Sequence, residues 1–197
     1  METEGLVRIM TKNAAAVGTI VHEIFSVSDA IQYAIDLTIV KKLKTLACPG
    51  LDTKNRDMMS DLCKSTDLDL LNPLLRENGP TLDTSLTWAE YGIADTGTLM
   101  VASDSEEIRI ATMLARIHIA MLPISKIRPD TVGIETELNA ILKSDSPSYT
   151  AFITGASRTA DIERVLTIGV HGPVELHLLL LKTSGNKSTP KWTEPKY

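Results

Sequence analysis

The sequence predicts an α/β fold built around a mostly parallel sheet. The first observation is the order helix, strand, helix, strand that hydrophobic patterning indicates across residues 2–47. The second is a strand, a glycine break, an amphipathic segment and another strand across residues 149–181, which is typical of a crossover between parallel strands. The third is the composition: 43% hydrophobic and 23% charged residues in a chain of 197 indicate one globular domain.

Local signals place the N-terminal elements. Residues 2–16 carry apolar side chains at helical spacing before an alanine run, which predicts a helix. Residues 17–25 are rich in β-branched side chains and predict a strand. Ser28 offers an N-cap oxygen for the next helix. A short strand is expected at residues 44–47, where the chain meets a Pro-Gly break.

The middle of the chain gives weaker signals. Residues 53–65 are polar with a thin apolar stripe and predict a surface helix, followed by a leucine-rich connector at 68–75. The pattern of residues 85–92 leaves their secondary structure open. Residues 93–101 predict two short strands around a turn, in which Gly97 supplies a positive φ angle that most residues avoid.

The C-terminal half returns to clear periodicity. Its predicted helices and strands lie at residues 106–113 and 129–142 (helices) and at 117–122, 149–154 and 176–181 (strands). Between the last two strands, Ile162, Val165 and Leu166 recur at helical spacing after the break at Gly155, so a short crossover helix is expected there.

These elements suggest a simple division of the chain. We expect a helical N-terminal extension over residues 1–16 and an α/β domain over residues 17–182. Residues 183–197 hold two prolines and little apolar material, so a flexible C-terminal tail is expected there.

Charge and cysteine content narrow the function classes. A formal net charge of −5 argues against a nucleic-acid partner. Cys48 and Cys63 are too few for a disulfide framework, a four-thiolate cluster or a structural zinc site, so two reduced cysteines are expected. No apolar run approaches the ~20 residues that span a bilayer, and no signal-peptide pattern is present. We therefore expect a cytoplasmic protein that does not contact membranes.

The loop Gly155, Ser157, Arg158 and Thr159 is the first candidate site. It leads from a predicted strand into a predicted helix, where unpaired N–H groups and the helix dipole favour an anion. Arg158 adds a bidentate donor for a phosphate or carboxylate. Asp161, in the first turn of that helix, provides the alternative: a self-contained turn in which Arg158 pairs with its carboxylate.

The turn Asp95, Thr96, Gly97 and Thr98 is the second candidate site. Its Asp-Thr-Gly sequence resembles that of the aspartic proteases, but those enzymes need two such aspartates and this chain has one copy in an α/β pattern. A protease is therefore rejected. Two interpretations fit equally: a turn whose aspartate bonds its own backbone, and a ligand-contacting loop at a strand end.

His171 and Gly172 form the third candidate. His171 lies among glycines, which favours a surface ring that could donate a hydrogen bond or carry a proton. His177 follows on the next strand with Glu175 on the same face, but two ligands without a third do not make a metal site, and no metal is expected. His118 lies in an apolar strand and is interpreted as an ordinary strand histidine.

Two segments resemble the lactate-utilisation (LUD) domain family. Residues 157–163, Ser-Arg-Thr-Ala-Asp-Ile-Glu, continue through residues 166–177 in a pattern similar to the family's C-terminal signature. Residues 94–99, Ala-Asp-Thr-Gly-Thr-Leu, resemble its Ala-Glu/Asp-Thr-Gly-Thr segment, and residues 118–127 resemble the strand that follows it. The resemblance is clear over residues 88–181.

This resemblance implies a fold and a function class. The implied fold is a three-layer α/β sandwich similar to the sugar-phosphate isomerase and CoA-transferase superfamily. The implied role is in the oxidation of L-lactate to pyruvate, as the small C component encoded beside two iron–sulfur subunits. Because this chain has two cysteines, it is expected to bind no cofactor itself, and iron–sulfur clusters are expected in its partner subunits only.

The candidate residues are expected to meet at the ends of adjacent strands and to bind a small anionic metabolite. An accessory component that binds this ligand or docks to the iron–sulfur subunits is the leading hypothesis. The alternative is an autonomous enzyme acting on a phosphorylated or carboxylated metabolite, with Asp95 or His171 as general base. A purely structural subunit and a homo-oligomer are both left open.

Overall fold

The structure is a computed structural model that describes residues 3–71, 75–78, 81–103, 105–143, 149–160, 166–168 and 172–182. Its helices are α1 (Thr3–Ala16), α2 (Val27–Val40), α3 (Thr53–Thr66), α4 (Leu75–Asn78), α5 (Glu106–Leu114) and α6 (Glu135–Leu142). Its strands are β1 (Ile20–Ile24), β2 (Thr45–Ala47), β3 (Asp69–Leu70), β4 (Thr84–Trp88), β5 (Tyr91–Ile93), β6 (Thr98–Ser103), β7 (Ile117–Pro123), β8 (Ile127–Arg128), β9 (Tyr149–Ile153), β10 (Arg158–Ala160), β11 (Leu166–Ile168) and β12 (Glu175–Leu181).

A six-stranded parallel sheet forms the centre of the fold. Its strand order is β1-β12-β7-β4-β2-β3, and every neighbouring pair runs parallel. All seven residues of β7 are buried, as are six of the seven in β12. Strands covered on both faces are continuously apolar, which is why the sequence identified these two readily. The α/β fold with a mostly parallel sheet is confirmed.

Helices and a second sheet cover the two faces of this sheet. On one face α2 and α3 pack against the strands in a core that includes Ile31, Ile35, Met59, Ile119 and Leu179. On the other face α1 packs in a core that includes Val7, Met10, Ala120, Leu122 and Leu178. The sequence predicts α1 as an N-terminal extension. In the structure its Met10 and Ala14 side chains are 0% exposed, so the helix forms part of a layer of the domain.

The second sheet includes β9, which the sequence had assigned to the parallel sheet. Its order is β8-β5-β6-β9, with β9 antiparallel to β6. Because β9 lies in this sheet and β12 in the parallel sheet, the predicted parallel crossover across residues 149–181 is wrong. The predicted crossover helix is also wrong at its start: β10 pairs antiparallel with β11, aligning β-branched residues such as Thr159 and Thr167. Ile162 and Val165, which suggested the helix, lie outside the described residues.

Helix α2 begins two residues before the expected position. Its N-cap is Ser26 rather than Ser28. The Asp29 N–H donates to Ser26 Oγ at 3.1 Å, and the Ser26 N–H donates to Asp29 Oδ2 at 2.9 Å. This reciprocal capping box satisfies two helix N–H groups, so it prevails over Ser28, whose Oγ lies 3.8 Å from Met58 Sδ.

Other boundaries differ where the sequence signal was weak. The unassigned segment at 85–92 contains most of β4, which lies between β7 and β2 in the parallel sheet. The expected connector at 68–75 contains β3. Helix α6 begins at Glu135, after a 3₁₀ turn over Val132–Ile134, rather than near residue 129.

His118 is a fully buried base in the middle of the parallel sheet. Its Nε2 lies 2.8 Å from Thr87 Oγ1, and its Nδ1 has no hydrogen-bond partner among the described residues. Burial lowers the pKa of His118 to about 4, and nearby His177 acts in the same direction. The folded protein therefore holds this imidazole neutral at physiological pH.

We expect the free energy of unfolding to decrease as the pH falls from 7 to 4.5. The unfolded chain protonates His118 near its ordinary pKa of 6.5, whereas the folded chain keeps it neutral until about pH 4. The unfolded state binds more protons in this window, so acid favours unfolding, by about 2–3 kcal/mol at pH 4.5. Urea unfolding of the wild type and of His118→Gln at several pH values measures this. Equal pH slopes in the two proteins would contradict the assignment.

The capping box gives a second stability prediction. Replacing Ser26 with alanine removes the oxygen that accepts the Asp29 N–H, and it should lower the free energy of unfolding by about 1 kcal/mol. The matched control is Ser28→Ala in the same helix, which should change it by less than about 0.5 kcal/mol. Urea denaturation measures the free energy of unfolding of both variants. A larger loss of stability in Ser28→Ala than in Ser26→Ala would contradict Ser26 as the N-cap.

Candidate functional site

The first predicted loop packs against the turn that follows α1. Gly155 has a φ angle of +74°, and a Cβ at this position would overlap the Val17 carbonyl oxygen. Arg158 Nη2 donates a hydrogen bond to the same Val17 oxygen at 2.6 Å. Ser157 is half-buried, and the Arg158 side chain is exposed. The backbone between β9 and β10 is thereby fixed to the end of α1.

The second predicted turn packs against the last turn of the same helix. Gly97 has a φ angle of +67°, and a Cβ there would overlap the backbone of Asn13 and Ala14. Asn13 Nδ2 donates to the Ala94 and Asp95 carbonyl oxygens, both at 2.8 Å. A non-glycine residue at position 97 would therefore be strained and would also push the helix away.

A chain of hydroxyl groups joins the two loops directly. Thr96 Oγ1 lies 2.7 Å from Thr98 Oγ1, which lies 2.8 Å from Thr154 Oγ1. Thr98 is buried, whereas the Asp95 and Thr96 side chains are exposed. The structure thus brings together the two candidate loops that the sequence singled out. We call Asp95, Thr96, Gly97, Thr98, Gly155, Ser157 and Arg158 the signature cluster.

Gly172 also reaches this cluster. The Ser157 N–H donates to the Pro173 carbonyl oxygen at 2.9 Å, and a Cβ on Gly172 would lie 3.1 Å from Ser157 Cβ. His171 and the side chain of Thr159, both predicted to belong to the site, lie outside the described residues. Asp161, the alternative partner of Arg158, lies outside them as well.

The signature cluster lies at the amino edge of the parallel sheet. Val17 precedes β1, and Pro173 precedes β12. Ligands of open α/β sheets usually bind at the opposite edge, beyond the carboxyl ends of the strands. The helix N-terminus that motivated an anion site is replaced by strand β10 at Arg158. Anion binding here would therefore depend on the exposed Arg158 guanidinium and the threonine hydroxyl groups.

Charged residues at the carboxyl edge were missed by the sequence analysis. Glu90 follows β4, and burial raises its pKa above the ordinary value, an effect that Lys126 partly offsets. Lys126 follows β7, and its Nζ lies 4.8 Å from the centre of the Tyr91 ring. Glu90 falls in the segment whose secondary structure was left open, so its place at a strand end was not recognised.

His177 and Glu175 meet as their spacing predicts. His177 Nε2 lies 3.1 Å from Glu175 Oε2, and its Nδ1 lies 2.8 Å from the Tyr33 hydroxyl. Glu175 Oε1 in turn accepts a hydrogen bond from Lys41 Nζ at 2.5 Å. Burial lowers the pKa of His177, while Glu175 acts against that change. These contacts join β12 to α2, and the described residues contain no group of three metal-binding side chains.

The two cysteines are both buried and unbonded. Burial raises the pKa of both thiols, which keeps Cys48 and Cys63 protonated and poorly reactive.

Within the described part of the chain, no helix has the length and apolarity needed to cross a bilayer.

Comparisons with known proteins agree on one family. The model of the LUD domain family matches residues 7–181. Lactate utilization protein C of Halalkalibacterium halodurans is 35% identical over 102 residues, which cover 51% of this chain and 44% of that protein. Lactate utilization protein C of Anoxybacillus flavithermus is 32% identical over 96 residues, covering 49% and 42%. The matched region is thus less than half the length of each of these relatives.

A solved structure supports the fold. The crystal structure of a DUF162 family protein from Deinococcus radiodurans superposes with a TM-score of 0.64 and covers 92% of this chain and 99% of that chain. Sequence identity between the two is 16%, so this similarity concerns the fold alone.

The contact between Gly97 and α1 gives a stability prediction. Gly97→Ala forces a side chain into a positive-φ position and against the helix backbone, and it should cost about 2–4 kcal/mol. Gly133→Ala is the matched control, because its Cβ would lie 3.0 Å from the Pro129 side chain at an ordinary φ angle. The control should cost less than about 1 kcal/mol. Urea unfolding of both variants measures these losses. Equal free energies of unfolding for the two variants would contradict the close contact between Gly97 and α1.

Proposed function

This chain belongs to the LUD domain family, and on that premise we propose that it is a cytoplasmic accessory component in the utilisation of L-lactate or a related organic acid. The observation that carries the proposal is the family match over residues 7–181, together with relatives named lactate utilization protein C. The parallel-sheet domain and its signature cluster supply the scaffold for such a role.

Electron transfer in this proposal belongs to partner subunits. Oxidation of lactate to pyruvate releases electrons that need a redox carrier. Iron–sulfur clusters are usually held by four thiolates, whereas this chain has two cysteines, both buried in the core. The chain therefore acts beside iron–sulfur subunits, by docking to them, by binding the organic acid, or by both.

Within the chain, the signature cluster is the proposed site for a small organic anion. Arg158 donates one hydrogen bond to Val17 O, and a guanidinium has five N–H donors. Toward the part of the chain that the structure describes, its exposed side chain thus retains donors for a carboxylate. The nearby Asp95 carboxylate would repel an anion placed against it, so the acid group belongs on the Arg158 side of the cluster.

The role in lactate utilisation has a direct genetic test. Deleting the gene in its host should abolish or strongly slow growth on L-lactate while leaving growth on glucose unchanged, and the wild-type gene should restore growth on L-lactate.

Affinity purification of the tagged chain from lactate-grown cells should recover iron–sulfur subunits. Normal growth of the deletion strain on lactate would contradict the role. Turnover of L-lactate by the purified chain supplied only with an artificial electron acceptor would instead establish the autonomous enzyme.

Anion binding at the signature cluster has a separate test. Titration calorimetry with L-lactate should show binding by the wild type that Arg158→Gln weakens about ten-fold or more, because a charge-assisted hydrogen bond is lost. Arg76→Gln, an exposed arginine on α4, removes the same charge elsewhere and should bind like the wild type. Equal affinity in all three proteins would remove Arg158 from the site.

A further inference from the structure

A groove of about 640 Å³ lies at the carboxyl edge of the parallel sheet. On the sheet side it is lined by Glu23 of β1, Ile124 after β7 and Lys182 after β12. These three strands are neighbours in the order β1-β12-β7. The groove therefore occupies the edge where open α/β sheets bind ligands, and the signature cluster lies at the opposite edge.

One face of α1 forms the other wall of the groove. The lining residues of this helix recur at intervals of three and four along three turns: Glu4, Val7, Arg8, Thr11 and Lys12. The neighbouring stripe, with Met10 and Ala14, is buried in the core. Val7 belongs to the same core and is 8% exposed, so α1 is held by its apolar residues and presents mainly the polar and charged residues beside them to the groove.

The charges of the groove favour an anion. Its lining contains three cations, Arg8, Lys12 and Lys182, and two carboxylates, Glu4 and Glu23. Lys182 Nζ is paired with Glu23 Oε2 at 2.6 Å, so those two charges offset each other.

The cations of α1 remain available on the other wall. No ion pair joins Arg8 or Lys12 to another residue in the described ranges. Glu4 lies one turn before Arg8 and offsets part of its charge. The wall is therefore net positive in a chain whose formal charge is −5.

The size and lining of the groove indicate the class of ligand. A volume of about 640 Å³ lies within the usual range for drug-sized ligands, and an acid as small as lactate would fill only a minor part of it. Ile124 and the small exposed part of Val7 supply apolar surface, and the stems of the lysine and arginine side chains add to it.

We propose that this groove binds an organic anion larger than lactate. Arg8 and Lys12 hold its phosphate or carboxylate group, and its apolar part packs against Val7 and Ile124. The proposal rests on the groove and not on the role in lactate utilisation, so either can fail without the other.

Titration calorimetry with the full chain tests the groove. ADP is the phosphate probe, octanoate is the carboxylate probe, and L-lactate is the small reference. At least one of the two larger probes should bind, and the double variant Arg8→Gln/Lys12→Gln should weaken that binding about ten-fold or more. The control Lys54→Gln/Lys143→Gln removes two exposed lysines from α3 and from the end of α6. It should bind the probe like the wild type.

A second variant keeps the test independent of charge. Thr11→Trp places a large side chain in the groove and should also weaken binding, with an unchanged circular dichroism spectrum as evidence of folding. The proposal is overturned if neither larger probe binds, or if the groove variants bind as tightly as the control.

Discussion

The parallel sheet must be covered on both faces, and most of the structure follows from that requirement. β7 and β12 are buried almost throughout, so each face needs an apolar layer to keep it from water. Helices α2 and α3 supply one layer. The other face is covered by α1 with side chains such as Met10, and the four-stranded sheet extends this layer. Removing any of these covers would expose the apolar side chains of the central strands β7 and β12 to water.

Helix α1 connects this packing requirement to both candidate sites. Its first turns lie at the carboxyl edge of the sheet, beside Ile124 and Lys182, and it ends at the amino edge, just before β1. Its last turn contacts Gly97, and Asn13 Nδ2 donates hydrogen bonds to the carbonyl oxygens of Ala94 and Asp95. The carbonyl oxygen of Val17, which follows the helix, accepts a hydrogen bond from Arg158. Its first turns line the groove at the other edge. The residues of the family signature therefore hold the helix that forms the wall of the groove.

The sequence predicted those parts of the fold whose signals are local and continuous. The apolar runs of β7 and β12 and the glycine turn between β5 and β6 were located correctly because burial and a positive φ leave plain marks. Strand β4 was not recognised, because Thr84, Ser85 and Thr87 make it look polar. Each of these hydroxyl groups is buried with a hydrogen-bond partner in another element, which sequence periodicity does not reveal.

The candidate site was predictable in part for the same reason. Loops rich in Gly, Ser and Thr were identified by composition, and the structure places them in contact through Thr98 and Thr154. The groove was not predictable, because Arg8 and Lys182 lie far apart in the chain and meet only when strand ends and α1 are assembled.

Native-state hydrogen exchange tests the central claim that α1 is an integral layer. Amides of α1 near Met10 should open with the same free energy as those of β7 and β12, within about 1 kcal/mol. Exchange of α1 at a much lower opening energy would show that it is an appended extension, contrary to this account.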